Sequence, residues 1–184
     1  MNNRMQVIND LIKNQDYKDY LEIGFEYGVS FHAIICENKT AVDPRPRGGG
    51  CTHAMTSDEF FAQNKDKFDI IFIDGDHSYE QSLRDAMNAK KALKEGGRIV
   101  FHDTHPYNAH QAKPDFTGGE WCGEVYKTIM QLYNMGENLY TYKFDYGVTV
   151  WNPHASMVDV VDPINEYSYE VFDANRELIL NIVK

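Results

Sequence analysis

The sequence predicts an α/β domain, an open and mostly parallel β-sheet with helices on both faces. Three observations carry this. Short apolar runs alternate with segments of helical periodicity and end in a hairpin pattern. One run, Ile70–Ile73, is four consecutive apolar residues, as in a strand covered on both faces. The runs also end in acids, at Glu22, Asp43, Asp74, Asp76 and Asp103. Parallel strands deliver their carboxyl ends to one edge, which is where such sheets bind ligands.

The elements follow in order. Met5, Ile8, Leu11 and Ile12 keep a helical spacing, so residues 4–14 read as an amphipathic helix. Tyr20–Ile23 reads as a strand, Ser30–Glu37 as a helix and Thr40–Val42 as a strand closed by Asp43 and Pro44. "PRPRGGG" at 44–50 is a loop, and a helix opens near Ser57. After the strand at 70–73, Ser78 and Gln81 fit a capping box, Lys90, Lys91 and Lys94 suit a helix C-terminus, and Gly96 stops it. "RIVFHD", 98–103, is a buried strand whose alternation turns His102 away from Asp103. A loop at 104–123, a helix at Val125–Met135, a hairpin turning at Asp145–Gly147 and a helix within 166–183 complete the chain. The expected division is a ligand-binding domain, 1–153, with a helical extension of the same domain, 154–184. Met157, Val158, Val160, Ile164, Val171 and Phe172 make that extension too apolar for a solvated tail. It either covers the domain's own sheet or joins two subunits as a homodimer.

Composition narrows the class. A net charge of −10, spread along 184 residues, argues against a nucleic-acid surface and against anionic membranes. Three cysteines without a CxxC pair suggest neither a disulfide framework nor a zinc ribbon, and a reducing cytoplasm is the simplest location. No run approaches membrane-spanning length.

"YLEIGFEYGVS", 20–30, is a strand running into a turn framed by Gly24 and Gly28. Glu22 and Glu26 flank the first glycine and would repel a pyrophosphate, which disfavours an NAD-linked enzyme, as does the absent GxGxxG. A ligand that carries cations and no phosphate fits better, and S-adenosylmethionine is one. Asp43, twenty-one residues after Glu22, is near the spacing at which an acid accepts from ribose hydroxyls. The plainer alternative is that both glycines only make a tight turn.

"YLEIGFEYGVSF", "AVD", "FDIIFIDGDHSYEQSLRDAMNAKKALKEGGRIVFHDT" and the hairpin occur in order over residues 18–151. Together they resemble the class I S-adenosylmethionine-dependent methyltransferases, specifically methyltransferase family 24 and its relatives that methylate sugar hydroxyls in macrolide and aminocoumarin pathways. The resemblance implies a Rossmann-like, seven-stranded sheet with a reversed last strand. It implies adenosylmethionine contacts from Glu22, Gly24, Gly28, Asp43 and Asp74. It further implies a divalent metal, Mg²⁺ or another, held by Asp74, Asp103 and the position after Asp103, which is Thr104 and a poorer ligand than an acid. His105 is a candidate substitute. The alternative for Asp74 and Asp103 is helix capping. Asp76 and His77 are the candidate bases, and His77 could instead be a satisfied histidine at a helix start. The expected enzyme is an O-methyltransferase whose acceptor is a small hydroxylated molecule, a sugar or glycan unit before a catechol. Tyr107, Phe116 and Trp121 in the 104–123 loop suit such a ring or merely anchor a surface loop, and Arg45 and Arg47 read first as solvated charges and otherwise as a site for an anionic group. A non-catalytic adenosylmethionine-binding module is the other reading, prompted by the missing third acid.

Overall fold

The computed structural model describes residues 3–160 and 162–183. Its strands are β1 (Asp19–Ile23), β2 (Asn38–Val42), β3 (Phe68–Ile73), β4 (Leu93–Phe101), β5 (Leu139–Tyr142), β6 (Val148–Trp151) and β7 (Ile182–Val183). Its helices are α1 (Arg4–Gln15), α2 (Val29–Ala33), α3 (Ser57–Gln63), α4 (Tyr79–Ala92), α5 (Val125–Asn134) and α6 (Tyr169–Leu180). The strands form one seven-stranded sheet in the order β2-β1-β3-β4-β6-β5-β7. Only β6 is reversed, antiparallel to both β4 and β5. The seventh strand comes from the tail, because β7 adds to β5 in parallel.

Strand alternation assigns the core to two faces. Leu21, Ile23, Ile71, Ile73, Ile99 and Phe101 pack with α4, α5 and α6. Tyr20, Ile70, Phe72 and Val100 pack with Val7, Ile8 and Ile12 of α1 and Phe31 of α2. Helices therefore cover both faces, and four parallel strand ends open at one edge between them. Phe172, Ile179 and Leu180 of α6 are fully buried, so the tail covers the domain's own sheet.

Three local expectations are corrected. Helix α4 ends at Ala92 rather than near Gly96, because Leu93 already pairs with Phe68 and a register shift follows before Ile70 meets Arg98. Lys94 lies in that strand and pairs with Asp19 and Asp69 instead of capping a helix. Ser78 is the N-cap of α4 without a side-chain cap bond, since Asp76 Oδ1 takes the Ser78 amide at 2.8 Å. The capping box occurs instead at α3, between Thr56 and Glu59.

Candidate active site

The carboxyl ends of β1 to β4 enclose an open cavity of about 1040 Å³. Its wall runs from Glu22–Tyr27 through Asp43–Arg45 to Asp74–His77, His102 and Asp103, with Arg4, Ser57, Asp85 and Trp121 added from helices and loops.

One half of this wall is made by backbone. Gly24 has φ +93°, and a Cβ there would stand 1.9 Å from the Asp74 carbonyl oxygen. Its amide donates to Val42 O at 2.9 Å, while Asp74 N donates to Ile23 O at 2.8 Å, so three strand ends are laced together at one residue. No side chain fits between them. Asp43 then fixes the loop from outside. Its Oδ2 accepts from Phe25 N (3.1 Å) and Glu26 N (2.8 Å), and its Oδ1 from Arg45 N (2.7 Å). Gly28 is absent from the wall. It has φ +75° and opens α2, and a Cβ would press on the Phe25 ring at 2.4 Å. Glu22 is buried beneath the loop and accepts from the Tyr20 hydroxyl. Burial pushes its carboxyl up to about 8, against the pull of that hydrogen bond.

The other half is made by titratable side chains. His102 Nδ1 lies 3.3 Å from Asp74 Oδ1 and 3.1 Å from Asp103 Oδ2. Its Nε2 lies 3.4 Å from Asp145 Oδ1. Burial alone would depress the imidazolium, but Asp74, Asp103 and Asp145 push its pKa up to about 12. The same contacts hold Asp74 well below the usual carboxylate range despite its burial, with His102 the larger influence and His77 the next. His77 Nε2 stands 3.5 Å from Asp103 and 3.7 Å from Asp74. Burial disfavours its charge, yet the two carboxylates raise its pKa. Its ring stacks on Trp121 at 4.7 Å, and its buried Nδ1 has no partner among the described residues. Arg4 closes the cluster, with Nη1 3.0 Å from both Asp145 oxygens and Nε 3.7 Å from Asp74 and 3.2 Å from Ser30 Oγ. Asp76 lines the cavity, but the Ser78 amide and hydroxyl hold its carboxyl in the ionised form against burial.

These positions revise the expected metal ligands. Strand β4 ends at Phe101, and Asp103 takes a left-handed φ of +57°, so the alternation that would separate His102 from Asp103 no longer applies. Asp74, His102 and Asp103 each offer a ligand atom, all within 4.8 Å of one another. The adjacent residues after the strand whose donors lie near Asp74 are His102 and Asp103, whereas Thr104 does not line the cavity. Thr104 is fully buried, accepts from Thr149 Oγ1 at 2.8 Å and lies against Gly147. His105 also turns away, with Nε2 3.0 Å from Arg176 Nη1 of α6, and burial lowers its pKa to about 4. Two carboxylates and an imidazole converging at these distances fit a divalent ion chemically. Arg4, Asp145 and Asp85 escaped the sequence reading. Asp85 lies on the wall below α3, accepts from Gln81 at 3.0 Å, and is pushed up to about 6 by burial.

Residues 21–104 match the family model described as "Methyltransferase domain". None of the curated proteins is similar in sequence. Among solved structures, cofactor-bound Rv0187 from MTB is similar with a TM-score of 0.66 at 14% identity, over 83% of this chain and 80% of that one. The SAH-bound Podospora anserina methyltransferase PaMTH1 gives 0.59 at 15% identity, over 83% and 79%. The O-methyltransferase TomG from Streptomyces achromogenes, involved in tomaymycin synthesis and solved with SAM, gives 0.58 at 12% identity, over 83% and 80%. Residues 21–104 therefore match a methyltransferase domain, in a chain whose fold is similar to that of these solved methyltransferases.

Proposed function

We propose that the protein is an S-adenosylmethionine-dependent O-methyltransferase acting on a small hydroxylated acceptor, a sugar or glycan hydroxyl, with divalent-metal assistance. One observation carries this reading: a phosphate-averse glycine loop and a carboxylate–imidazole cluster share a single cavity. The laced strand ends at Gly24 leave room for a cofactor against backbone, and Asp74 presents an ionised carboxylate where its cationic groups would lie, with Glu22 beneath as a neutral hydrogen-bonding carboxyl. Asp43, with three loop amides already on its carboxylate, keeps one lone pair for a ribose hydroxyl. A divalent ion at Asp74, His102 and Asp103 would supply Lewis acidity to the acceptor hydroxyl. His77 is the better base. Asp76 is committed to the start of α4, whereas His77 faces the cluster and is braced by Trp121. Trp121 and Phe116, edge to face at 5.9 Å, offer the aromatic surface that a sugar ring would stack on. With His102 in the third ligand position, the argument for a module that binds without catalysis loses its motive.

Calorimetric titration tests the cofactor: adenosylmethionine should bind and NAD should not, and the reverse result overturns the reading. Methyl transfer from labelled adenosylmethionine to a panel of glycosides and catechols tests the acceptor. Label found only on catechols removes the sugar assignment. Chelation by EDTA should abolish transfer and leave adenosylmethionine bound, and transfer persisting in EDTA removes the metal.

A further inference from the structure

We propose that this cluster is built for a nitrogen-accepting transition ion of the Fe²⁺ to Zn²⁺ series, selected over Mg²⁺ by His102. The inference rests on the reading of Asp74, His102 and Asp103 as a metal site. Mg²⁺ favours an all-oxygen octahedron and is held by one or two carboxylates and water. Imidazole suits zinc, iron, copper and nickel, while carboxylate and water oxygens suit magnesium, calcium and manganese. Here one of three converging donors is His102 Nδ1, between Asp74 Oδ1 and Asp103 Oδ2.

Two features say that the ring is posed as a ligand and is not a passing neighbour. Its far nitrogen, Nε2, lies 3.4 Å from both Asp145 Oδ1 and Arg4 Nη1, and this outer pair holds the ring with Nδ1 turned toward Asp74 and Asp103, where a metal would replace the Nδ1 proton. Asp145 is in turn clamped by Arg4 through the guanidinium, 3.0 Å to each oxygen, and through the Arg4 amide at 3.0 Å. The brace comes from the β5–β6 turn, where Asp145 sits at φ +54°, and from the first residue of α1. Neither belongs to the strand end that supplies His102. The ring is nearly enclosed, with 8% of its side chain exposed.

The test uses the full chain loaded with Mn²⁺, read by electron spin-echo modulation for directly bound nitrogen, together with competitive titration of Co²⁺ against Mg²⁺. Nitrogen coupling should be present in the wild type and in His77→Gln, and absent in His102→Asp. The Co²⁺-to-Mg²⁺ affinity ratio should fall about tenfold or more in His102→Asp. Bound Mn²⁺ without nitrogen coupling, coupling that vanishes in His77→Gln, or an unchanged ratio in His102→Asp each overturns the inference and leaves a metal site standing. Binding of no divalent ion removes the metal reading itself, and this inference with it. Thermal melting and adenosylmethionine titration report whether His102→Asp is folded; if it is not, wild type against His77→Gln decides.

Discussion

The two halves of the cavity are built differently. At the ends of β1 and β2 the wall is backbone, fixed by Gly24 between strands and by three amides on Asp43. At the ends of β3 and β4 it is a set of charges, Asp74, His77, His102 and Asp103, whose positions are fixed by one another and by Arg4 and Asp145. The first half is a shape and tolerates little change of volume. The second is an electrostatic balance, in which each substitution alters its neighbours' charge states before it alters the fold.

The strongest way to break this contrast is Gly24→Val. A Cβ 1.9 Å from the Asp74 carbonyl, at φ +93°, should cost about 4 kcal/mol or more in denaturant unfolding. Unaltered stability would mean that the strand ends are not laced there. The opposite signature is expected on the charged side. His77→Gln should leave the unfolding midpoint nearly unchanged and lower methyl transfer by about 10²–10⁴-fold, with adenosylmethionine affinity retained. Retained turnover would hand the base role to Asp76.

Glu22 lies where the halves meet, and its linkage can be signed. Its folded pKa of about 8 exceeds the ordinary 4.5, so between these values the folded state binds the extra proton. Stability contributed by neutral Glu22 is therefore full at low pH and is lost as pH rises through that window. Relative to Glu22→Gln, the wild type should lose on the order of 3 kcal/mol between pH 5 and pH 8. Parallel pH profiles would show Glu22 ionised in the fold at neutral pH. Asp43→Ala should weaken adenosylmethionine binding by about 1.5–3 kcal/mol, and Asp43→Asn by less, since it keeps an acceptor for the loop amides. Equal affinities by calorimetry would put the ribose elsewhere. The smallest effect is expected at Thr104→Val. Removing the acceptor of the Thr149 hydroxyl should cost about 1–2 kcal/mol of stability, with metal affinity unchanged. Weakened metal binding would restore Thr104 to the site.

The same division decided what could be read from the sequence. Gly24, Asp43 and the acids at the strand ends follow from local chemistry: a strand, a turn, a spacing. The sheet and its helices followed from periodicity, and so did the hairpin turn at Asp145–Gly147. The His102–Asp103 pair was misread because strand alternation was extended one residue too far. The left-handed φ at Asp103 reverses it, and although aspartate adopts that region more often than most residues, its presence at a strand end does not by itself announce the turn. Arg4 and Asp145 were unreadable for another reason. They meet across 141 residues, and neither carries a local pattern that points to the other. The end of α4 was missed because β4 begins within a lysine-rich stretch that has helical composition.

That 141-residue contact also sets an order of construction. During synthesis Arg4 emerges first and Asp145 long after Asp74 and Asp103, with β5 and the turn to β6 still to form when Asp74 and His102 are already outside the ribosome. A nascent chain halted before the hairpin owns every proposed ligand and lacks the clamp that aims the imidazole. The β5–β6 turn, made after all of these strand ends, thus adds the Arg4–Asp145 clamp that holds the imidazole against the earlier acids.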